Sequence, residues 1–457
     1  MSNWEEKAIK DICISITSGG TPSRSISEYY SNGNICWVKT KELNNFYIYD
    51  TEEKITENAI RKSSAKLLPK NTVLLAMYGA TVGETAILGK EMACNQACCA
   101  MIVNENIVDY RFLFYLLILH KTKIKNLATG AAQQNISVKM VKELTFRIPE
   151  KELQIKIANI LESLDQKIIL NTQTNQTLEQ IAQAIFKHWF IDFTPVHAKA
   201  NALARGETIE QAELAAMACL SGKTVEKITA LKTQDPTTYH QLQQTAAAFP
   251  SEFVETEMGQ VPRGWEVKQV KDMGKIICGK TPSKKKEEFY GNDIPFIKIP
   301  DMHNNTFIIK TTDNLSLLGA NNQKNKFIEK GSICISCIAT VGLVSITSER
   351  SQTNQQINSI VPNSEIFTEY LYLYFSQDTM NKKLKDLASG GSATLNLNTT
   401  AFSNITLLIP NNNLIEFFHK KVQPLFDKIL SNKKESISLS DARDELLPKL
   451  LRGEIEL

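Results

Sequence analysis

The sequence predicts an α+β protein made of two tandem repeated α/β domains joined by two long coiled-coil helices. Three observations predict it. An internal repeat of about 260 residues runs through the chain. Each half carries short β-branched or apolar runs punctuated by Gly, Asn and Ser, with one shorter helical pattern. Each half then ends in a much longer heptad pattern.

The repeat is read from ordered matches. Thr21-Pro22-Ser23 recurs as Thr281-Pro282-Ser283, and Glu28-Tyr29-Tyr30 as Glu288-Phe289-Tyr290. Trp37-Val38-Lys39 matches Phe296-Ile297-Lys298, and Ala80-Thr81-Val82-Gly83 matches Ala339-Thr340-Val341-Gly342. Asn95-Gln96, Leu127-Ala128-Thr129-Gly130 and Ile148-Pro149 return as Asn354-Gln355, Leu387-Ala388-Ser389-Gly390 and Ile409-Pro410, with the offset held between 259 and 261. Chance does not keep such an order over some 150 residues.

The elements follow in order. Residues 1–149 form the first domain, with strands such as 72–77 and one helix near 109–126. Residues 150–193 form the first long helix. Its apolar seam places Ile157, Leu164, Asn171, Leu178 and Ile185 at one heptad position and Leu161, Ile168, Asn175, Ala182 and Trp189 at the other. That stripe is ~50 Å long at 1.5 Å per residue. Residues 194–264 are a helical connector, Ala-rich over 197–220 and broken at Asp235-Pro236 and Phe249-Pro250-Ser251. Residues 265–410 are the second domain, with a strand over 332–338 and a helix near 368–387; residues 411–457 form the second long helix. Its stripe is Phe418, Leu425, Asn432, Leu439 and Leu446, with Val422, Ile429, Ser436, Arg443 and Leu450. Asn171 and Asn432 hold the same middle position in both copies, where a buried amide costs stability but fixes register. The alternative is that each helix only covers its own domain. Pro424 and Pro448 should kink or bound the second helix.

Composition narrows the function classes. Of 457 residues, 42% are hydrophobic and 22% charged, which fits a soluble globular protein. Net charge is +3, so any basic surface must be local. No run of 18 apolar residues suggests a membrane span, and nine scattered cysteines suit a reduced, cytoplasmic protein. Cys334 and Cys337 form a CxxC, but the isoleucines around them indicate a buried strand rather than a metal site. Gly274 to Thr281 matches the GxxxxGK[ST] phosphate loop letter by letter. Pro282 follows at once and Ile276-Ile277 looks like strand, so the helix whose dipole would face a phosphate is missing. The six histidines are isolated, and neither a catalytic constellation nor a metal set is expected.

Binding chemistry remains. Lys123 and Lys125 precede one Gly-containing loop, and Lys383 and Lys385 precede its copy. Those loops bring Gln133, Gln134 and Asn135 in the first half and Ser392, Thr394 and Asn396 in the second. Amide and hydroxyl groups reach base edges, while lysines neutralise phosphate. A second hydroxyl-and-cation loop per copy holds Thr21, Ser23 and Arg24, matched by Lys280, Thr281, Ser283, Lys284 and Lys285. Lys39, Thr81, Lys298 and Thr340, repeated at equivalent places, complete the expected DNA-binding set.

With Trp4 and Trp265 opening the copies, the Thr-Pro-Ser turns and the Ile-Pro leads into long helices make a specific series. So do the helix end Leu178 to Phe193 followed by Pro195-Val196, and the terminal Leu446 to Ile455. Over essentially its whole length the chain resembles the specificity subunit of Type I restriction–modification systems. The resemblance implies two target-recognition domains, each reading one half of a split, asymmetric DNA target, set at opposite ends of a spacer of two long antiparallel coiled-coil helices, with a pseudo-twofold between the halves. It also implies two modification subunits docked on the helices and connector, which bind S-adenosylmethionine and methylate adenine. Restriction subunits that use ATP and Mg complete the full complex; the specificity subunit itself holds no cofactor and performs no catalysis. The Ala-rich connector is longer than a link from helix to domain needs. The competing reading is a coiled-coil interaction scaffold without sequence-specific DNA reading.

Overall fold

The computed structural model describes residues 4–43, 46–129, 135–256, 259–389, 395–455 and 457. Two compact units divide the chain, Met1–Leu170 with Glu435–Leu457 and Asn171–Lys434. Among the described residues no helix is long and apolar enough to cross a membrane.

Both units are built on the same sheets. In the first, a five-stranded sheet runs in the order Cys13–Ser18, Cys98–Val103, Val73–Ala76, Thr85–Leu88, Tyr47–Ile48. In the second the order is Gly274–Cys278, Ile357–Pro362, Ile333–Ser336, Val344–Thr347, Phe307–Ile308. The last strand of each pairs in parallel and the others antiparallel. A three-stranded sheet accompanies each: Ile35–Val38 between Lys54–Ile55 and Ala93–Cys94, and Tyr290–Ile297 between Asp313–Leu315 and Gln352–Thr353. A two-stranded pair closes each copy, with Glu5 opposite Ile148 and Glu266 opposite Ile409.

The interiors of the copies differ in chemistry. Across the central strands the first copy buries Ala86, Leu88, Ala93, Cys94, Cys99 and Ala100, where the second buries Ser345, Thr347, Gln352, Thr353, Asn358 and Ser359. Burying amides requires partners: Gln323 Nε2 donates to Gln352 Oε1 (2.8 Å), and Gln352 Nε2 to the Ala320 carbonyl (2.9 Å).

The single helix expected near 109–126 is two, Tyr110–Leu119 and Lys121–Thr129; that expected near 368–387 is Thr368–Phe375 and Asp378–Ala388. The physical reason is a change of burial. The first piece buries a near-continuous apolar run, Phe112 to Leu117, inside the unit. The Lys-rich second piece buries only one stripe, Ile124 and Ala128, so the axis turns at His120. In the second copy extended Gln377 makes the same break.

The two long helices are Lys151–Phe190 and Asn412–Leu451. None of the stripe positions read from the heptads is exposed. Residues one place after the stripe, Ala158, Asp165, Phe186, Phe426 and Leu447, are buried as well, so each helix both pairs and covers a domain. In the second unit Asn171 Nδ2 donates to the Asn432 carbonyl (3.4 Å), and Asn432 Nδ2 donates to Asn175 Oδ1 (2.9 Å). Pro424 and Pro448 do not bound the second helix, which continues through both. Pro424 forfeits one backbone bond, a cost of ~3 kcal/mol with its ring clash. Val422, Phe426 and Ile429, all buried around it, offset that cost.

In the first unit the domain is tied to the helices by Leu113, Leu116 and Leu117 against Ile157, Leu161, Leu447 and Leu450. A polar clamp adds to this: the Tyr115 hydroxyl donates to Asp165 (2.6 Å) and Arg443 pairs with the same carboxylate (2.5 Å). In the second unit Phe186, Phe190, Tyr370 and Phe418 form an aromatic cluster, with Phe190 and Phe418 centroids 4.9 Å apart. There the Tyr372 hydroxyl donates to Glu179 (2.6 Å), and His419 Nδ1 lies 2.6 Å from buried Glu369. The hydrogen bond to Glu369 holds His419 above its usual pKa. A raised folded-state value stabilises the charged pair below the unfolded value of ~6.5 and loses that contribution as pH rises through the folded value. Chemical denaturation of the second unit should therefore show stability falling with pH over that window, and His419→Gln should flatten the dependence.

The connector is four helices, Thr194–Ala204, Ile209–Ser221, Val225–Gln234 and Pro236–Ala247, followed by a hairpin of Phe253–Thr256 with Gly259–Pro262. The Ala-rich stretch, expected to be helical, is two helices parted at Gly206, whose φ of +81° ends the first piece before Thr208 caps the next.

Candidate nucleic-acid interface

In each copy, loops far apart in sequence meet at one place. The strand Cys13–Ser18 ends in Gly19-Gly20, and at Gly19 the carbonyls of Cys94 and Asn95 come so near that a Cβ would lie 2.2 and 2.3 Å from them. The Thr21 hydroxyl then donates to Gln96 Oε1, the Tyr30 hydroxyl to the Pro22 carbonyl (2.6 Å) and the Trp37 indole to the Gly20 carbonyl (3.0 Å). The second copy repeats the arrangement: Gly279 sits against Thr353 and Asn354, Thr281 donates to Gln355 Oε1 (2.6 Å) and Tyr290 to the Pro282 carbonyl (3.0 Å).

A third loop joins them. Met77 N–H donates to the Ala97 carbonyl (2.8 Å) and Ile136 N–H to that of Met77 (3.0 Å), while Tyr78 bridges Asn135. Correspondingly, Cys337 N–H donates to Gln356 (2.8 Å), Leu397 N–H to Cys337 (2.8 Å), and Ile338 bridges Asn396. The convergent surface exposes Ser23, Arg24, Tyr78, Ala80 and Gln96 in one copy, and Lys280, Ser283, Lys284, Thr340, Gln355 and Asn396 in the other. It is a polar, amide- and hydroxyl-rich face of the kind that reads base edges.

The cations of the expected set fall into three groups. Arg24 and Lys284 with Lys285 are exposed on the turns; Arg24 stacks 4.4 Å from the Tyr30 ring and pairs with Glu53 (2.7 Å). Lys39 and Lys298 are held inward by carboxylates, Lys39 by Glu53 (2.7 Å) and Glu52 (3.3 Å), Lys298 by Asp313. The hydrogen bond to Glu53 raises the Lys39 pKa, and that from Lys39 lowers the Glu53 pKa, so this charge is already countered within the domain. Lys123 leaves the cluster and lines a cavity of about 450 Å³ with Trp4, His120, Arg147 and Arg452. Burial, with Lys123 and Arg452 nearby, lowers the His120 pKa. Lys125 and Lys385 are exposed and Lys383 half-buried on their helices. Thr81 is half-buried, its hydroxyl donating to the Tyr78 carbonyl (3.1 Å). Gln133, Gln134, Ser392 and Thr394 lie outside the described residues.

Sequence reasoning missed Lys66 and Lys326. Lys66 Nζ donates to Thr17 and to the Ser18 carbonyl (3.5 Å), and Lys326 Nζ to the Cys278 carbonyl (2.9 Å), at the same place beside each turn. Their shared offset of 260 was the available signal. Gln96 and Gln355, noted only as repeat markers, prove to be the residues that hold the turns.

The phosphate-loop match is a strand: Gly274–Cys278 pairs with Ile357–Pro362 in antiparallel register. Cys334 and Cys337 are buried in and beside the strand Ile333–Ser336, where burial pushes their thiols up to about 12 and about 11. Among the described residues no group of three or more His, Cys, Asp or Glu could hold a metal.

Comparison with known proteins places this architecture. A family model described as the Type I restriction modification DNA specificity domain matches residues 1–180 and 262–438. The chain is 48% identical over 472 aligned residues, covering all of both chains, to the HindI specificity subunit of Haemophilus influenzae. It is 28% identical to the MjaIX specificity subunit of Methanocaldococcus jannaschii, across all of this chain and 94% of that one. A solved structure of the Type I system S subunit from M. genitalium has the same fold, at TM-score 0.55 and 17% identity over 98% of this chain and 96% of that one. The twice-built domain, the paired helices and the match across both copies together establish that the chain belongs to the Type I restriction–modification specificity-subunit family.

Proposed function

We propose that each copy reads one half of a bipartite, asymmetric DNA target through its loop cluster, and that the long helices and connector dock the modification subunits. One observation carries this: the same turn is built twice, Thr21 on Gln96 and Thr281 on Gln355, while other side chains around it differ, Arg24 against Lys284 and Tyr78 against Ile338. A shared scaffold with unlike surface chemistry suits two unlike half-sites. In this reading the chain is a non-catalytic, cytoplasmic subunit. Adenine methylation with S-adenosylmethionine, and ATP- and Mg-dependent restriction, belong to two modification subunits and to restriction subunits assembled with it.

The test is a domain exchange. Residues 1–149 are replaced by the corresponding segment of another family member, and methylated adenines are mapped in cells carrying the chimera with its modification subunits. One half of the methylated sequence should change and the other persist. A change in both halves, or in neither, overturns the reading.

A further inference from the structure

The loop that joins the cluster from the third side presents a single side chain at its start, and the two copies place unlike residues there. In the first copy it is Tyr78, 40% exposed, bridged through its backbone to Asn135 and followed by Gly79 at a φ of +67°. In the second it is Ile338, half-buried, bridged likewise to Asn396 and followed by Ala339 at +63°. Both loops therefore enter the left-handed region at the same step, although the first is one residue longer between Tyr78 and Gly83 than the second between Ile338 and Gly342. Alanine in the left-handed region is strained, and such strain persists where the surroundings dictate the loop's shape. Each position follows a residue bonded next to an exposed glutamine, Met77 N–H to the Ala97 carbonyl beside Gln96 and Cys337 N–H to the Gln356 carbonyl beside Gln355, and the Thr81 hydroxyl donates to the Tyr78 carbonyl.

We propose that Tyr78 and Ile338 each contact a base directly and make the two copies discriminate differently at the equivalent point of their half-sites. A phenol offers a ring face and an O–H that both donates and accepts, so Tyr78 suits a hydrogen-bonding group on a base edge. A branched aliphatic side chain has no polar atom to offer. The feature of a base edge that rewards it is the thymine methyl, so Ile338 selects an A·T pair in its half-site. The inference rests on reading the loop cluster as the DNA-facing surface.

The experiment uses the full chain assembled with its modification subunits, scored by methylation of duplexes randomised across the target. Ile338→Ala should lose about fourfold discrimination at one A·T position of the second half, the worth of one buried methyl contact, and leave the first half unchanged. Tyr78→Ile should alter preference at one position of the first half only, with Tyr78→Phe intermediate. Ile338→Val, which keeps a branched methyl surface, should retain the parental preference and so separates lost contact from lost folding. Gln96→Ala and Gln355→Ala serve as the comparison. If these change DNA preference while the Tyr78 and Ile338 variants keep the parental one, the inference fails and the loop reading stands. If all of them leave preference and affinity unaltered, the loop reading fails and takes the inference with it.

Discussion

Gly19→Ala should abolish recognition of the first half-site while leaving the second copy folded. The added Cβ would sit 2.2 Å from the Cys94 carbonyl oxygen and 2.3 Å from that of Asn95, both backbone atoms with no rotamer to retreat into. The strand end must move, and with it the bonds from Gly19 N–H to Cys98 (3.1 Å) and Gly20 N–H to Cys94 (2.9 Å). Two backbone bonds and an overpacked contact together cost about 2–5 kcal/mol. The Thr21 contact to Gln96 should be lost with the turn. Methylation mapping should show a relaxed first half beside an intact second half, and chemical denaturation should show a destabilised first unit. Gly79→Ala is the control: its Cβ would meet nothing within 4 Å, and the second copy already carries Ala339 in that conformation. Its cost should be only about 1–2 kcal/mol.

Arg443→Leu should be the most damaging single change in the helices of the first unit. Asp165 is 8% exposed and accepts from both Tyr115 and Arg443. Removing the guanidinium leaves a buried carboxylate with one neutral donor, which costs about 3–5 kcal/mol for a fully buried pair. Because the Arg443 side chain keeps 29% of its exposure, about 2–4 kcal/mol is expected here. Urea unfolding of the first unit measures it. The double variant Asp165→Leu, Arg443→Leu should recover most of the loss, since a well-packed apolar pair can replace a buried ion pair. A single-variant cost below about 0.5 kcal/mol would mark the pair as an ordinary surface bridge.

The repeat and the heptads were legible because both are periodic, and periodicity survives without knowledge of contacts. That is why Asn171 and Asn432 could be placed in the seam, while the apolar runs 72–77 and 332–338 pointed to strands found at Val73–Ala76 and Ile333–Ser336. What escaped was non-local. His120 interrupts a helix through the burial of its flanks rather than through any breaker residue, and Pro424, exposed, lies on a helix anchored by buried Val422, Phe426 and Ile429. Among candidate DNA contacts, nothing local distinguishes Lys39, countered by Glu53, from exposed Lys284. The carboxylate lies 14 residues away, just ahead of the strand Lys54–Ile55. Lys123 likewise carries no sign in its neighbours that it faces Trp4 and Arg452 rather than the loops.

The unlike interiors of the copies bear on how such a gene can be reshuffled. A crossover between the two repeats inside a sheet would set Gln352 or Asn358 against alanine and cysteine from the other copy, stranding amides that now bond to Gln323, the Ala320 carbonyl, Cys337 and Thr399. Recombinants of that kind would be purged for misfolding before their sequence preference was ever tried. Exchange at the Ile-Pro junctions ahead of the long helices splits neither interior, so each domain would pass as one cassette.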